Sequence, residues 1–418
     1  MKRHLLCLAV LTTIFLFNTR TVDAQNWTRF RGPNGQGAIE TKFPGEWTDK
    51  NVAFKIELPG EGHSAPAIWG NKLFILSADR ATAERFMLGI DATTGETLWK
   101  RSYDSEEHRL HIRSSYASCS PAVDADHVYI AFSDPEHTWL KAFSHDGREV
   151  WSEDMGTWRS MHGFGTSPML YKDMVILNSA QQGIRLEEGE KPPQSYVYAF
   201  DRATGDLRWK SPLQSASCSY SVPCIYTDAD GNDQLICTNT LDGMYSLDPM
   251  TGKRNWNIVA FDKRTVSSPV IAGGHVFGST GSGGGGNYIA AVKPTKEPSI
   301  TFKVDRAAPY VPTSVAAGDL LFLWYDKGIL TCIDARNGDV HYQQRLDTAF
   351  SGSPIRLGDK VFCIDEDGVV HCVAATKEYK PISKFDLGAP SRSTPAFANG
   401  KLYLRTYSHL YCISPEAL

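Results

Sequence analysis

The chain has 418 residues, with 43 Lys and Arg residues against 47 Asp and Glu residues, a formal net charge of −4 and a pI near 6.3. This balance excludes a general electrostatic attraction to nucleic acid or anionic lipid, so any partner must be recognised locally. Length alone would allow two or three domains, although repeat folds of this size often form one.

The first 24 residues predict a secretory signal peptide. Basic residues precede an apolar run from Leu5 to Phe17, and Val-Asp-Ala stands just before Gln25. This run is too short to span a bilayer comfortably, although a short membrane anchor is the alternative that the pattern leaves open. The sequence therefore predicts an exported protein, periplasmic or secreted, with no later transmembrane segment.

Residues 25–50 predict an extended amino-terminal arm that drapes over the fold, because a dense turn cluster, RGPNG, stands there between aromatic residues. The alternating stretch from Val52 to Leu58 then predicts a strand that has no partner before it in the chain. From residue 51 to residue 418 the sequence is repetitive, and we expect one domain.

A Ser-Pro or closely similar sequence recurs eight times and marks the opening of each repeat. A strongly apolar strand follows each marker, with a longer hairpin in the fourth unit. The markers are about 47 residues apart on average, which suits four short strands per unit. They begin at Ser64, Ser120, Ser167, Ser221, Ser268, Thr313, Ser353 and Thr394.

A second pattern marks the turn before the last strand of a unit: an Asp, then a Gly, then an aromatic residue. The short Asp side chain can bond the turn backbone, and the Gly supplies a positive φ. The aromatic side chain is best buried against a neighbouring unit, so repetition implies stacking. The four copies are Asp91, Gly95 and Trp99; Asp201, Gly205 and Trp209; Asp248, Gly252 and Trp256; and Asp334, Gly338 and Tyr342.

These repeats predict an all-β fold, an eight-bladed β-propeller of four-stranded antiparallel blades over residues 51–418. The last unit ends after its third strand, HLYCI, so we expect the strand from Val52 to Leu58 to complete that blade and close the ring. Closure removes exposed sheet edges. We expect the protein to be a monomer.

The copy from Ala199 to Trp209, AFDRATGDLRW, resembles the tryptophan-docking repeat of quinoprotein dehydrogenases. From about Asn51 onward the chain is similar to the wider family of PQQ-like (pyrroloquinoline quinone) repeat β-propellers, which includes the BamB component of outer-membrane protein assembly. The resemblance implies the propeller fold, and most members of this family bind no quinone. For the true dehydrogenases it implies an adjacent Cys-Cys pair, calcium held by carboxylates and an Asp base, and this chain has no adjacent cysteines.

In such a propeller the linkers between blades emerge on one face, around the central channel. Basic and aromatic residues in these linkers predict a rim that suits an anionic or sugar-like ligand, or an acidic loop of a partner protein. A solvated rim that binds nothing is the alternative, since loops gather polar residues in any case. The predicted rim residues are Arg113, Tyr116, Arg159, His162, Tyr220, Arg264, Tyr310 and Arg392.

Eight cysteines follow the predicted leader, and one pair has a favourable register for a disulfide. Folding the hairpin about residues 229–232 sets Cys224 opposite Cys237 on adjacent strands. Two buried free thiols are the favoured interpretation, because most strand cysteines pack as small hydrophobic residues, and a disulfide is the alternative.

Three further motifs give weak signals. The run from Gly278 to Gly286 is followed by neither Lys-Ser/Thr nor a helix, so it predicts a flexible loop rather than a phosphate site. The segment DADGND at 228–233 lacks the full calcium-loop ligand series and predicts a hairpin turn. His108 and His111 have no third ligand of obvious geometry and predict a surface role.

The sequence identifies no catalytic residue, metal site or required cofactor. We expect a non-catalytic binding or scaffold module of the cell envelope that recognises a protein partner or a small anionic or carbohydrate ligand, and no nucleic acid. The alternative is a PQQ-dependent oxidoreductase acting on alcohols or sugars, with quinone and calcium in the channel.

Overall fold

The computed structural model describes residues 26–186, 189, 191–214 and 216–416, and the signal peptide predicted at 1–24 lies outside them. Two strands and two 3-10 helices precede the first complete sheet. The helices are Pro33–Gly35 and Asp49–Asn51, and the strands are β1 (Ala38–Ile39) and β2 (Val52–Glu57). No helix among the described residues has the length and apolar character needed to cross a membrane.

The first four blades follow in chain order. Blade 1 contains β3 (Ala67–Trp69), β4 (Lys72–Ala78), β5 (Arg85–Asp91) and β6 (Thr97–Tyr103). Blade 2 contains β7 (Ala122–Val123), β8 (His127–Ser133), β9 (Thr138–Ser144) and β10 (Glu149–Asp154). Blade 3 contains β11 (Met169–Tyr171), β12 (Met174–Ser179), β13 (Ser195–Asp201) and β14 (Leu207–Leu213). Blade 4 contains β15 (Cys224–Thr227), β16 (Asp233–Asn239), β17 (Gly243–Leu247) and β18 (Arg254–Ile258).

The other four blades repeat this arrangement. Blade 5 contains β19 (Val270–Ala272), β20 (His275–Thr280), β21 (Tyr288–Lys293) and β22 (Ser299–Val304). Blade 6 contains β23 (Val315–Ala317), β24 (Leu320–Tyr325), β25 (Ile329–Asp334) and β26 (Val340–Arg345). Blade 7 contains β27 (Ile355–Leu357), β28 (Lys360–Ile364), β29 (Val369–Ala374) and β30 (Pro381–Asp386), and blade 8 contains β31 (Ala396–Ala398), β32 (Lys401–Arg405) and β33 (His409–Ile413).

The blades form the predicted eight-bladed β-propeller. Within each blade the strands pair antiparallel in chain order. The first strands of neighbouring blades contact one another, β3 with β7 and β19 with β23 among them, so these short strands surround the axis. The glycine-rich run begins inside β20, and the element that follows it is β21, a strand, as its sequence predicted.

The amino-terminal strand closes the ring, which confirms the prediction from the incomplete last repeat. β2 pairs antiparallel with β33, from Val52 opposite Ile413 to Glu57 opposite His409, and so becomes the outer strand of blade 8. Phe54 of β2 packs on Gly95 in blade 1, where an added Cβ would lie 2.9 Å from a ring carbon. The closing seam therefore uses the same kind of contact as the seams inside the ring.

The aromatic residues of the repeat dock on the next blade, as the pattern predicted. The Trp99 indole donates to the His145 carbonyl at 3.0 Å and lies against Gly147 of blade 2. Trp151 donates to the Arg202 carbonyl in the next blade at 3.0 Å. Within each turn the Asp carboxylate accepts backbone N–H bonds, as in Asp91 with the two residues Thr93 and Thr94 at 2.8 and 2.9 Å.

The Ser-Pro markers have a structural explanation, because their hydroxyl groups link neighbouring blades. The Ala65 amide donates to the Ser120 hydroxyl, and the Ser120 amide donates to the Ser167 hydroxyl, both at 2.9 Å. The same bond recurs from Thr313 to Ser353 and from Ser353 to Thr394 at 3.0 Å. These groups are buried near the axis, where unpaired amides would be costly.

The amino-terminal arm crosses the propeller on the face opposite the inter-blade linkers. Trp27 exchanges two backbone hydrogen bonds with Ile68 of blade 1, at 2.9 and 2.8 Å. Further along, the Asn34 side chain bonds the Ile225 backbone of blade 4. β1 then pairs in parallel with β27, which gives blade 7 a fifth strand on its inner edge.

Arg31 is the central anchor of the arm. Its buried guanidinium donates to the carbonyls of Thr313, Ser314 and Pro354, at 2.8, 2.6 and 2.8 Å. It also donates to Gln36 and Gly35 within the arm. Burial lowers the pKa of Arg31 to about 9, which still leaves the side chain charged at neutral pH.

The predicted register, which sets Cys224 directly opposite Cys237, is wrong. The hairpin pairs Thr227 with Asp233 around a five-residue loop, so Cys224 lies opposite Ile236. A loop with one more residue than expected shifts the register by one, which sends the two thiols to opposite faces of the sheet. Both are buried free thiols, as are the other six cysteines of the described chain.

We expect a Gly205→Ala substitution to lower the melting temperature more than Gly231→Ala. Both glycines have φ near 83°, so both variants incur about 1–2 kcal/mol of backbone strain. Only at Gly205 would the new Cβ lie 2.8 Å from the Trp151 ring, which adds about 1–3 kcal/mol of overpacking. Equal melting temperatures in thermal unfolding would contradict the docking role of this glycine.

We also expect Arg31→Met to reduce the free energy of unfolding by about 3 kcal/mol or more, because it leaves several buried carbonyls without a donor. Methionine keeps the aliphatic stem, so the loss reports the hydrogen bonds. Urea unfolding measures it, with Arg336→Met at an exposed ion pair as the control. A loss no larger than that of the control would show that Arg31 is not an anchor.

Candidate functional site

A cavity of about 470 Å³ lies on the axis, on the face that carries the inter-blade linkers. We call this the linker face. All eight linkers contribute to the cavity, together with the loops between the second and third strands of blades 5 and 6. Phe30 of the arm lines the cavity from the opposite side.

Six of the eight predicted rim residues line this cavity. They come from linkers around the whole ring and are Arg113, His162, Tyr220, Arg264, Tyr310 and Arg392. The structure therefore brings together side chains that are up to 279 positions apart in the chain.

Tyr116 and Arg159 do not line the cavity. Tyr116 is buried, its hydroxyl donates to the His108 carbonyl at 2.7 Å, and the Arg85 guanidinium lies 5.1 Å from its ring centre. Arg159 is exposed, and its backbone amide donates to the Gln181 side chain at 2.8 Å. Both therefore order linkers rather than face the cavity.

The structure also shows cavity residues that the sequence reasoning missed. They are Phe30, His63, His111, Phe164, Ser282, Asn287, Asp326 and Lys327. His63 stands directly before the first Ser-Pro marker, so its place in a linker was a usable signal. Phe30 gave no such signal, since only the path of the arm brings it to the axis.

Among the arginines that line the cavity, Arg264 is the one that has no carboxylate partner within the described chain. Its Nε donates to the Cys218 carbonyl at 3.0 Å, and its guanidinium lies 5.0 Å from the Tyr220 ring centre. Neither contact uses the two terminal nitrogens. Burial raises the pKa of Tyr220 well above its ordinary value, so this phenol stays protonated and donates to the Gly163 carbonyl at 2.6 Å.

Two other arginines of the cavity share one carboxylate. Arg392 Nη2 lies 3.0 Å from Glu366 Oε2, and Arg113 donates to Glu366 Oε1. The Ser351 hydroxyl donates to the same Oε1 at 2.6 Å. Arg392 Nη1 is buried and has no hydrogen-bond partner, so this guanidinium retains an unused donor.

The histidines of the cavity are neutral at pH 7. Burial, with Arg264 nearby, lowers the pKa of His162 to about 4. Burial, with Arg405 and Arg392 nearby, lowers the pKa of His63 to about 3. His111 lies with its ring centre 5.0 Å from that of His162, and burial lowers its pKa too. The fixed positive charge of the cavity therefore comes from arginine and lysine.

The residues of the cavity do not fit the calcium-quinone arrangement of the dehydrogenases. Asp326 accepts the backbone amides of Tyr310 and Val311 at 2.7 and 3.0 Å, and Glu366 is bound by two arginines. Across the described residues no three side chains of the types His, Cys, Asp and Glu group as metal ligands. The chain also lacks the adjacent cysteines.

The sequence model of one protein family, described as outer membrane protein assembly factor BamB, matches residues 46–161 and 193–416. A tetrathionate hydrolase of Acidithiobacillus ferrooxidans is 25% identical over 270 residues, 52% of this chain and 49% of that protein. Outer membrane protein assembly factor BamB of Legionella pneumophila is 24% identical over 166 residues, 38% of this chain and 37% of that protein. The chain thus spans half or less of the length of these relatives.

Two solved structures cover more of the fold. BamB from Moraxella catarrhalis superposes with a TM-score of 0.62 at 15% identity, covering 88% of this chain and 98% of that chain. Quinohemoprotein alcohol dehydrogenase from Comamonas testosteroni gives 0.66 at 13% identity, covering 95% and 82%. At such identities the likeness is one of fold.

We expect acid to destabilise the protein less when His162 is replaced by Gln. The folded state holds the pKa of His162 near 4, below the value of about 6.5 in an unfolded chain. The stability gained by keeping this imidazole neutral is complete above about pH 6.5 and is lost as the pH falls towards 4. Between pH 7 and 4.5 the melting temperature of the wild type should therefore fall further than that of the variant, and equal falls would contradict this.

Proposed function

The chain belongs to the family described as outer membrane protein assembly factor BamB, and we propose that it is an exported, non-catalytic binding propeller of the cell envelope. In this proposal the cavity on the linker face holds an anionic group, either of a small molecule or of an acidic segment of a partner protein. The family description supports the partner, and the charge of the cavity supports the anion.

The observation that carries this proposal is the convergence of Arg113, Arg264 and Arg392 on one cavity from three separate linkers. A guanidinium offers forked donors that match carboxylate and sulfonate oxygens. Arg264 and Arg392 both retain nitrogen donors that have no partner within the described chain. Glu366 offsets the charge of only one of the three arginines, and a bound anion would offset more of the remaining positive charge.

Aromatic side chains define the remainder of the proposed site. Tyr220, Tyr310, Phe164 and Phe30 provide apolar surface beside the cations. Such faces can pack on the carbon skeleton of a ligand or on sugar rings, which keeps carbohydrate among the ligands to be tested. The relative named tetrathionate hydrolase supplies one dianion, tetrathionate, as a useful probe.

The alternative function is quinone-dependent oxidation of alcohols or sugars. The fold shared with quinohemoprotein alcohol dehydrogenase is compatible with it. The carboxylates of the cavity are already paired, however, and no adjacent cysteines are present. The chemistry of the donor groups therefore favours the binding function.

The test is a binding titration of the purified protein with tetrathionate, citrate, an oligoglutamate peptide and maltose, and with pyrroloquinoline quinone plus calcium. We expect at least one anion to bind, and Arg264→Gln to weaken it by about tenfold to a hundredfold, as expected for one charged hydrogen-bonding partner. Arg264→Lys should lose less anion affinity than Arg264→Gln, because it keeps the positive charge. It should still lose some affinity, because lysine cannot reproduce the forked donors.

An Arg336→Gln variant is the matched control, because Arg336 lies in a turn between the third and fourth strands, away from the cavity. Equal anion affinity of wild type and Arg264→Gln would refute the proposed site. Binding of quinone with dye reduction in the presence of alcohols would replace the binding function by the enzymatic one.

A further inference from the structure

The linker between blades 1 and 2, residues 104–121, is twice as long as the linker between blades 6 and 7, residues 346–354. Nothing in the propeller geometry requires this length, because neighbouring blades are joined elsewhere by the shorter connection. The additional residues therefore serve something other than chain connection.

This linker extends over the cavity. Arg113 lines the cavity and bonds Glu366, which lies in the turn between β28 and β29 of blade 7, beyond blades 8 and 1. On its other side, His111 contacts His162, and the Leu110 side chain occupies the space beside Gly163. The linker thus touches both the next linker and a distant blade.

Residues 104–114 include no buried residue, although Leu110 packs partly against the hydrophobic core and Tyr116 follows them as a buried anchor. Ile112 is 83% exposed, and the Arg113 side chain is 50% exposed. Segments with little buried apolar area and exposed backbone open at low free energy. The contact of Arg113 with Glu366 is therefore one of the few that hold the exposed part of this linker, together with Leu110 beside Gly163 and the bonds between His108 and Tyr116.

Glu366 accepts hydrogen bonds from the arginines that we propose as donors to a ligand carboxylate. Its two oxygens accept bonds from Arg113, Arg392 and Ser351. A side-chain carboxylate that satisfies two arginines competes directly with an external anion for the same donors.

We infer that residues 104–114 form a lid over the cavity, latched by the ion pair of Arg113 with Glu366, and that an anionic ligand releases the latch by replacing Glu366 at Arg113 and Arg392. The ligand part of this inference rests on the proposed function, whereas the latch itself does not. Glu366 is then a positioning residue, which sets the affinity that an anion needs in order to displace it from the two arginines.

Hydrogen exchange of the amides at 104–114, without ligand, tests the latch. We expect Arg113→Gln and Glu366→Gln each to speed the exchange of these amides about tenfold. The double variant should add little, because each single substitution already removes the same ion pair. Arg336→Gln is the control, with unchanged exchange. Wild-type exchange rates in both single variants would overturn the lid, whether or not any anion binds.

Citrate titration tests the competition. We expect Glu366→Gln to bind citrate about tenfold more tightly than wild type, because the internal competitor is gone. Weaker or unchanged binding would show that Glu366 orients the arginines instead, and would overturn the inference. Ser351→Ala, which weakens the hold on the same carboxylate, should shift citrate affinity in the same direction and serves if Glu366→Gln does not fold. If wild type binds no anion while the exchange result holds, the proposed function fails and the latch stands.

Discussion

The structure depends on a packing contact that recurs at five of the eight blade seams: an aromatic side chain on the outer strand of one blade covers a glycine in the turn of the next. Trp99, Trp151, Trp209 and Phe302 make this contact inside the ring, and Phe54 makes it at the closing seam. Because each blade buries its neighbour's aromatic face, no blade is complete alone. The linkers, and hence the cavity, are held in place by these contacts.

Much of the fold was predictable because its determinants are local and repeated. Asp91 and Gly95 specify a turn within five residues, and the Ser-Pro markers count the blades. The register of the hairpin at Cys224 was not predictable, because the number of loop residues decides it and Asp228 caps a five-residue loop as readily as a shorter turn. The amino-acid composition of this loop does not distinguish a four-residue loop from a five-residue loop.

The candidate site was predictable in part for the same reason. Residues such as Arg264 and Arg392 stand in linkers, and linkers converge on the axis once the fold is known. What the residues do there depends on partners distant in sequence. Glu366 was missed although it pairs with two of the predicted arginines, because 253 positions separate it from Arg113. Tyr116 turns into a protein interior that only packing defines.

The amino-terminal strand has a consequence for biosynthesis. β2 finds its partner only in His409–Ile413, so a chain made from its amino end carries this strand unpaired until blade 8 has been added. Contacts of such long sequence separation form slowly. A chain that lacks β33 cannot seal the ring, so the seam forms only after blade 8 has been made.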